Sequence, residues 1–298
     1  KREARAPELL LSMIASEDVP AWKATLFQVA APWAEDVRLI DAAEVALSDS
    51  SPLVRSAAVQ FIGAGPSDRG KLRPALQDPV KLVRVDAQWA LAAELPRRST
   101  ERQELDNYLA LAADQPVGRL RQAQLAAMSG DLSEAQTLLQ KAIAWDAQSP
   151  AYHETLGLVL QQTGDNAGAA HALWRAAQLD TANAQSSFYA ALAFAGAGQM
   201  AEAENALRTT VQRDADHHRA WYNLGLLLSQ TRRTSEALTA LTRAETIAPD
   251  QADYPYAAAT IHFSLGQKRE ARQAAQRTLR INPQHPEARQ IFSTLEAP

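Results

Sequence analysis

A period of 34 residues runs through this chain from about residue 116 onward, and it constrains the fold more than any other feature of the sequence. Five alanines keep this spacing: Ala135, Ala169, Ala203, Ala237 and Ala271. Five residues ahead of them, glycines keep the same spacing with an arginine in one slot: Gly130, Gly164, Gly198, Arg232 and Gly266. A regular period of this length is typical of stacked units that bury a shared core only by packing on their neighbours.

Each unit is predicted to be two helices joined by a tight turn. The glycine can adopt the left-handed conformation that ends a helix, and the alanine is small enough for two helices to cross closely. Pro249 and Pro283 close two of the units, because proline cannot continue a helix. Alanine and leucine dominate the composition while only 12 glycines occur, so helix is favoured nearly throughout. These features predict an all-α fold of antiparallel helix pairs.

The repeats resemble the tetratricopeptide repeat (TPR) family. The most complete copy comprises Trp221, Leu224, Gly225, Leu228, Ala237, Leu241, Ala244 and Pro249, and a second comprises Leu156, Gly157, Gly164, Ala169, Leu173 and Ala176. Other copies are degenerate: Ala191 and Ala259 replace the first-helix glycine, and Thr210 and Thr278 replace the late alanine. The resemblance implies a right-handed α-solenoid, with a TPR array over residues 98–284 (a lone helix plus five repeats) and a capping helix over residues 285–298.

The first 97 residues repeat differently. Residues 51–58 and 80–87 align at a Val-Arg pair with an offset of 29 residues, and each segment follows an aspartate, Asp49 or Asp78. These segments resemble short HEAT repeats. The resemblance implies HEAT-like helical repeats over residues 1–97, in which Asp and Arg of successive turns bond along the stack.

The order of HEAT-like units, a lone helix and TPR units resembles the C-terminal half of certain bacterial periplasmic multihaem c-type cytochromes. In that family the haem-binding CxxCH motifs lie upstream, and this chain has no cysteine, so no haem ligand can be assigned to it. The resemblance implies an alternative function, the non-haem repeat half of an electron-transfer protein, and favours a periplasmic over a cytoplasmic location. Because the chain begins at Lys1 rather than methionine, we expect a processed protein or a piece of a longer one.

Composition and motifs argue against several other classes of protein. The formal net charge is −4, with 30 basic and 34 acidic side chains and no basic stripe for nucleic acid. No apolar stretch approaches the roughly 18–20 residues that span a bilayer, and no two of the six histidines have the i, i+4 spacing of a helical zinc site. No nucleophile elbow or phosphate-binding loop occurs. We therefore expect no catalysis, no cofactor in this chain, no nucleic acid partner and no membrane insertion.

The candidate site lies on the predicted concave surface, which the first helix of each unit lines. Aromatic residues and leucines recur there once per repeat, in the rows Phe188, Tyr222, Tyr256 and Leu158, Leu192, Leu226. Arg219, Gln162 and Gln230 are expected at the rim, where they suit hydrogen bonding to a main chain. Two interpretations stay open: the rows line a groove for a peptide, or they pack between neighbouring first helices.

The function predicted from these features is a protein–protein interaction scaffold that binds a peptide or partner segment in the TPR groove. TPR modules that clamp acidic tails place lysine and asparagine at the inward positions, whereas this chain has Glu154 and the three aromatic residues there. An acidic-tail clamp is therefore not expected. The sequence leaves the partner and the oligomeric state open.

Overall fold

The computed structural model describes residues 5–296, and every regular element within that range is helical. The α-helices are α1 (Ala6–Ser16), α2 (Pro20–Val29), α3 (Val37–Ala46), α4 (Pro52–Ala64), α5 (Lys81–Ala90), α6 (Thr100–Ala110), α7 (Pro116–Met128), α8 (Leu132–Trp145), α9 (Pro150–Gln162), α10 (Asn166–Leu179), α11 (Ala184–Gly196), α12 (Met200–Arg213), α13 (His218–Gln230), α14 (Thr234–Ile247), α15 (Asp253–Ser264), α16 (Lys268–Ile281) and α17 (Pro286–Glu296). Short 3-10 segments cover Ala31–Trp33 and Arg69–Gln77. The predicted all-α class is confirmed.

The chain divides into two compact units between residues 142 and 143, and α8 runs through that boundary. The sequence-based boundaries near residues 97 and 284 follow the type of repeat rather than compactness, and they stay predictions. The first four residues of the predicted HEAT-like region and the last two of the predicted capping helix lie outside the described residues.

Helices α2 to α5 build the core of the N-terminal unit, with α4 packed against α2, α3 and α5. The rings of Phe27 and Phe61 meet with centroids 6.0 Å apart, and Leu39 and Ile62 are fully buried. Proline stands in the first turn of α2 and of α4, where its missing N–H would have had no helical partner.

A ladder of charged side chains joins successive helices of this unit. Arg55 Nε and Nη2 donate to the Asp78 carboxylate at 2.7 and 3.0 Å, and Nη1 donates to the Asp49 carbonyl at 2.8 Å. One repeat later, Arg84 makes the same set of bonds, to the Glu104 carboxylate at 3.1 and 2.7 Å and to the Asp78 carbonyl at 2.9 Å. The Arg55–Asp78 pair is the Asp/Arg pairing that the resemblance to HEAT repeats implies, and glutamate replaces the aspartate in the Arg84–Glu104 pair. The family assignment itself stays a prediction.

The C-terminal unit consists of the helix pairs α9–α10, α11–α12, α13–α14 and α15–α16. The turn within each pair has a residue with positive φ, at Gly164, Gly198, Arg232 and Gly266. Arg232, with φ of 61°, shows that the repeat imposes this turn even on a side chain that rarely adopts it. An N–H one residue later closes each turn, as where Asp165 N donates to the Leu160 carbonyl at 3.0 Å.

Small residues let the two helices of a pair cross closely. A Cβ added to Gly225 would lie 2.7 Å from Leu241 Cγ, and one added to Gly157 would lie 2.5 Å from Leu173 Cγ. The periodic alanines of the C-terminal unit are fully buried at these crossings: Ala169, Ala203, Ala237 and Ala271. Helix α17 packs on α15 and α16. Its partly buried side chains Ile291 and Phe292 pack against the core of the unit.

Replacing a buried crossing alanine should overpack its helix pair. Ala203→Leu is expected to lower the free energy of unfolding by about 1–3 kcal/mol, because the surrounding helices cannot give way without strain. Thermal melting compares it with Ala201→Leu, a control on the exposed side of the same helix, which should melt close to wild type. Equal melting of the two variants would contradict the burial of Ala203.

The ion pair between Arg84 and Glu104 should make the N-terminal unit sensitive to acid. The Arg84 guanidinium holds the pKa of Glu104 at about 2, below its ordinary 4.5. The unfolded chain thus takes up this proton at a higher pH than the folded chain, so the stability from the pair is complete above about pH 4.5 and is lost towards pH 2. Glu104→Gln should lower the free energy of unfolding at pH 7 and flatten its fall between pH 5 and 3 in urea titrations.

Glu94→Gln provides the matched control, since it removes the exposed partner of Arg73 and exposed pairs contribute little to stability. Its pH slope should follow the wild type. A Glu104→Gln slope that also follows the wild type would show that the Arg84–Glu104 pair does not stabilise the fold.

Candidate partner-binding site

The aromatic residues of the predicted groove form a ring row, Phe188, Tyr222 and Tyr256, near the starts of α11, α13 and α15. Each ring packs on a ring at the start or the N-cap of the next first helix, or, for Tyr256, on the residue before the capping helix α17. The pairs and their centroid distances are Phe188 with His217 at 4.5 Å, Tyr222 with Tyr254 at 4.9 Å, and Tyr256 with His285 at 4.5 Å. Phe188 and Tyr222 therefore lie between consecutive first helices, and Tyr256 lies between the last first helix and the capping helix.

Phe188 is a core residue, and its prediction as an accessible partner-binding residue is wrong. Its relative exposure is 0%, because His217 packs on the ring and the Arg219 guanidinium lies 5.4 Å from its centroid. Arg219, which covers the Phe188 ring, is itself exposed. Its aliphatic stem and charged head therefore form the surface above the buried ring.

Tyr222 and Tyr256 differ from Phe188 because both are only partly buried. Within residues 5–296 neither hydroxyl has a hydrogen-bond partner, whereas the buried Tyr254 hydroxyl lies 2.6 Å from His218 Nδ1. Burial raises the pKa of Tyr222, and the nearby Asp253 carboxylate and Tyr256 raise it further. Both hydroxyls are thus neutral near pH 7 and able to donate as well as accept.

The predicted leucine row lies one helical turn beyond the ring-row position. Leu158 is exposed, at 37%, and Leu192 and Leu226 are partly buried with one side packed on the core. These side chains are held in place yet present apolar surface, which is the arrangement that an apolar side chain of a partner can use.

The predicted rim residues Arg219, Gln162 and Gln230 are exposed. Within residues 5–296, the Arg219 guanidinium forms no hydrogen bond and no ion pair shorter than 4 Å. Asp253 occupies the same position one repeat later and is also exposed, so the rim carries both signs of charge. Glu154 occupies the ring-row position one repeat before Phe188. Burial raises the pKa of its carboxyl group, and the nearby Asp180 carboxylate raises it further.

Sequence reasoning missed an exposed aromatic side chain on the last of the first helices. Phe263 of α15 is 43% exposed. It stands three residues after Thr260, the residue of α15 at the repeat position of the leucine row. The helical period already put residue 263 on the same face as Thr260, so the signal was present. The aromatic residue does not recur in the other repeats, where the equivalent positions hold Gln161, Ala195 and Ser229.

Within residues 5–296, no group of three His, Cys, Asp or Glu side chains is placed to hold a metal ion. In the same range, no helix combines the length and the apolar character needed to cross a bilayer.

Comparison with known proteins places the repeat family on part of the chain. Residues 188–252 match the family model of the tetratricopeptide repeat. No curated protein matches the sequence. The fold is similar to that of YrrB, described as a TPR protein with an unusual peptide-binding site, with a TM-score of 0.56 and 17% identity over 63% of this chain and 97% of that chain.

The fold is also similar to that of MamA. One MamA structure has a TM-score of 0.51 and 19% identity over 55% of this chain and 96% of that chain. Another has a TM-score of 0.52 and 18% identity over 61% of this chain and 96% of that chain. At these identities the likeness concerns the fold alone.

His217 should make the C-terminal unit sensitive to mild acid. Its neutral Nδ1 caps α13 by accepting from Ala220 N at 3.1 Å, and burial under Phe188 lowers its pKa, outweighing the opposing effect of the Asp214 carboxylate. The unfolded chain takes up this proton near pH 6.5, above the pH at which the folded chain does. Stability is therefore expected to be complete at pH 8 and to fall as the pH drops below 6.5.

His217→Asn should reduce that fall while keeping the cap, because Asn183 caps α11 from the same repeat position by accepting from Gln185 N. Thermal melts between pH 8 and 5.5 measure the effect, with the exposed His171→Asn as the control. If His217→Asn and His171→Asn lose stability equally with pH, the capping argument fails.

Proposed function

We propose that the C-terminal unit is a protein-interaction module that binds a segment of a partner protein across its first helices. The observation that carries the proposal is the pair of tyrosine hydroxyls, on Tyr222 and Tyr256, that have no internal partner within residues 5–296. Tyr222 stands one helical turn before Leu226, and the same position after Tyr256 holds Thr260. Both tyrosine rings are wedged between helices, so the hydroxyls are held in position before a partner arrives. Binding then costs little side-chain entropy at these two residues.

The spacing of the tyrosines suits an extended segment. Packed helices lie about 8–10 Å apart, and an extended chain advances about 3.3 Å per residue. About every third residue of a segment that crosses successive first helices would therefore meet a new helix. The tyrosine hydroxyls, together with Gln162 and Gln230, supply donors and acceptors for its main chain, and Leu158, Leu192 and Leu226 supply apolar contacts.

The charges favour a partner segment that is mainly apolar. Arg219 and Asp253 give the rim opposite charges in adjacent repeats, and Glu154 stands where an acidic-tail clamp would need a donor. The peptide-binding site described for YrrB supports peptide recognition as the class of function. Because the similarity to YrrB is one of fold, it does not identify the ligand. The proposed role requires no catalysis and no cofactor.

The other interpretations have less support. The Arg55–Asp78 and Arg84–Glu104 ladder supports the HEAT-like proposal for the first part of the chain. The comparisons lend no support to the multihaem-cytochrome alternative, and the periplasmic location proposed with it rests on that resemblance alone.

Removing the tyrosine hydroxyls tests the proposal. A peptide is selected from a displayed random library against the full chain, and its dissociation constant is measured by fluorescence anisotropy. Tyr222→Phe and Tyr256→Phe should each weaken binding by several-fold, which corresponds to the roughly 0.5–1.5 kcal/mol of a hydrogen bond, with melting unchanged. Tyr254→Phe is the control: it removes the internal contact with His218, so it should lower melting and leave the affinity close to wild type.

A pair of charge reversals separates this surface from the opposite side of the unit. Arg219→Glu on α13 should alter the affinity and its salt dependence, whereas Arg280→Glu on the second helix α16 should not. Selected peptides whose binding is unaffected by Tyr222→Phe, Tyr256→Phe and Arg219→Glu would place recognition elsewhere and end this proposal.

A further inference from the structure

The N-terminal unit contains a cavity of about 690 Å³ among α4, α5, α6 and α7. Buried apolar side chains, Val85, Leu105 and Leu109, form part of its wall, and the partly buried rings of Trp89 and Tyr108 line it as well. The volume falls within the range of about 300–1,000 Å³ that is usual for small-molecule sites, whose walls are mostly apolar with a few polar groups.

Two cations stand at this cavity, Lys81 and Arg121, and both are exposed. Within residues 5–296, neither side chain forms a hydrogen bond or an ion pair shorter than 4 Å. The Lys81 ammonium lies 5.7 Å from the centroid of the Tyr108 ring, an arrangement that holds it at the cavity without neutralising its charge. Elsewhere in the unit, by contrast, Arg55 and Arg84 are each paired with a carboxylate.

The carboxylate that lines the cavity, Asp86, already has partners from the protein. Its Oδ2 accepts hydrogen bonds from Ser56 Oγ and from Gln60 Nε2, which ties α5 to α4. Burial raises the pKa of Asp86, and Arg121 is near enough to offset part of that rise. Lys81 also lies within electrostatic range of Glu104, but the charge of Glu104 is matched by its ion pair with Arg84. Two exposed cations at the cavity therefore face one partly buried carboxylate that holds two helices together, and the balance of charge is positive.

We infer that this cavity is a binding site for a small amphiphilic anion, a molecule with an aromatic or other apolar body and one acidic group. The body contacts Leu82, Trp89 and Tyr108, and the acidic group pairs with Lys81 and Arg121. Burial of the apolar body supplies most of the affinity. The two charge-assisted contacts orient the molecule and select it over its uncharged analogue. The site lies within the N-terminal unit and does not depend on the function proposed for the C-terminal unit.

Two fluorescent probes that differ by one acidic group test the inference on the full chain. The anion 8-anilino-1-naphthalenesulfonate carries a sulfonate, and N-phenyl-1-naphthylamine is the same ring system without it. The sulfonate probe should bind at one saturable site, and Lys81→Gln and Arg121→Gln should each weaken it by about tenfold, within the range for charge-assisted hydrogen bonds. Neither substitution should change the binding of the uncharged probe, and Arg73→Gln, an exposed arginine outside the cavity, should affect neither probe.

Two further variants locate the probe and test the sign of the ligand charge. Leu82→Ala, at a side chain that is 43% exposed and therefore tolerant of truncation, should weaken both probes. Asp86→Asn should strengthen the sulfonate probe. The inference is overturned if the sulfonate probe is insensitive to Lys81→Gln, Arg121→Gln and Leu82→Ala. It is also overturned if the cationic dye thioflavin T binds instead and loses its affinity in Asp86→Asn.

Discussion

The close crossing of the two helices within each repeat determines the positions of the other elements of the C-terminal unit. At Gly225 the first helix approaches so closely that a single added carbon would lie 2.7 Å from Leu241 Cγ, and the buried alanine Ala237 continues this contact along the second helix. Because the pair is narrow, the next first helix lies within reach of the preceding one. The Tyr222 ring consequently meets Tyr254. Small residues at the crossing are thus the condition for the ring row.

The features that could be predicted from the sequence are those that every repeat specifies locally. The left-handed turns follow from glycine, and the structure keeps the same turn at Arg232, where the sequence had lost its glycine. The buried alanines follow from the need for a small residue at a helix crossing, as at Ala203. The Asp78–Arg55 contact follows from an aspartate and an arginine repeated at fixed positions. Each of these depends on a short segment and its nearest neighbour in the stack.

The 34-residue period does not show how deeply each side chain is buried. Phe188, Tyr222 and Tyr256 share one repeat position, yet Phe188 is fully covered because His217 and Arg219 of the next repeat happen to be large enough to cover it. The histidine recurs at His285, which packs on Tyr256 in the same way, whereas the position of Arg219 holds Asp253 and Glu287 in the following repeats. The cavity beside Asp86 was missed for a similar reason, since it depends on how far the side chains of four helices fill the space among them. The available signal was Asp86, a carboxylate directly between the apolar residues Val85 and Ala87.

In the ring row, packing and the recognition that we propose reside in one side chain. In Tyr222 the ring belongs to the core, since it packs on Tyr254, and the hydroxyl belongs to the surface. Truncation to alanine would remove both parts, so a loss of binding in that variant would not distinguish a lost contact from a shifted helix. Phenylalanine at the same position keeps the wedge between α13 and α15 and removes only the polar atom. Phe188 has the packed ring without a hydroxyl at the same repeat position. Its full burial shows that the ring by itself suffices for packing. The binding role that we propose for this surface is therefore separable, atom by atom, from the stability of the repeat that carries it.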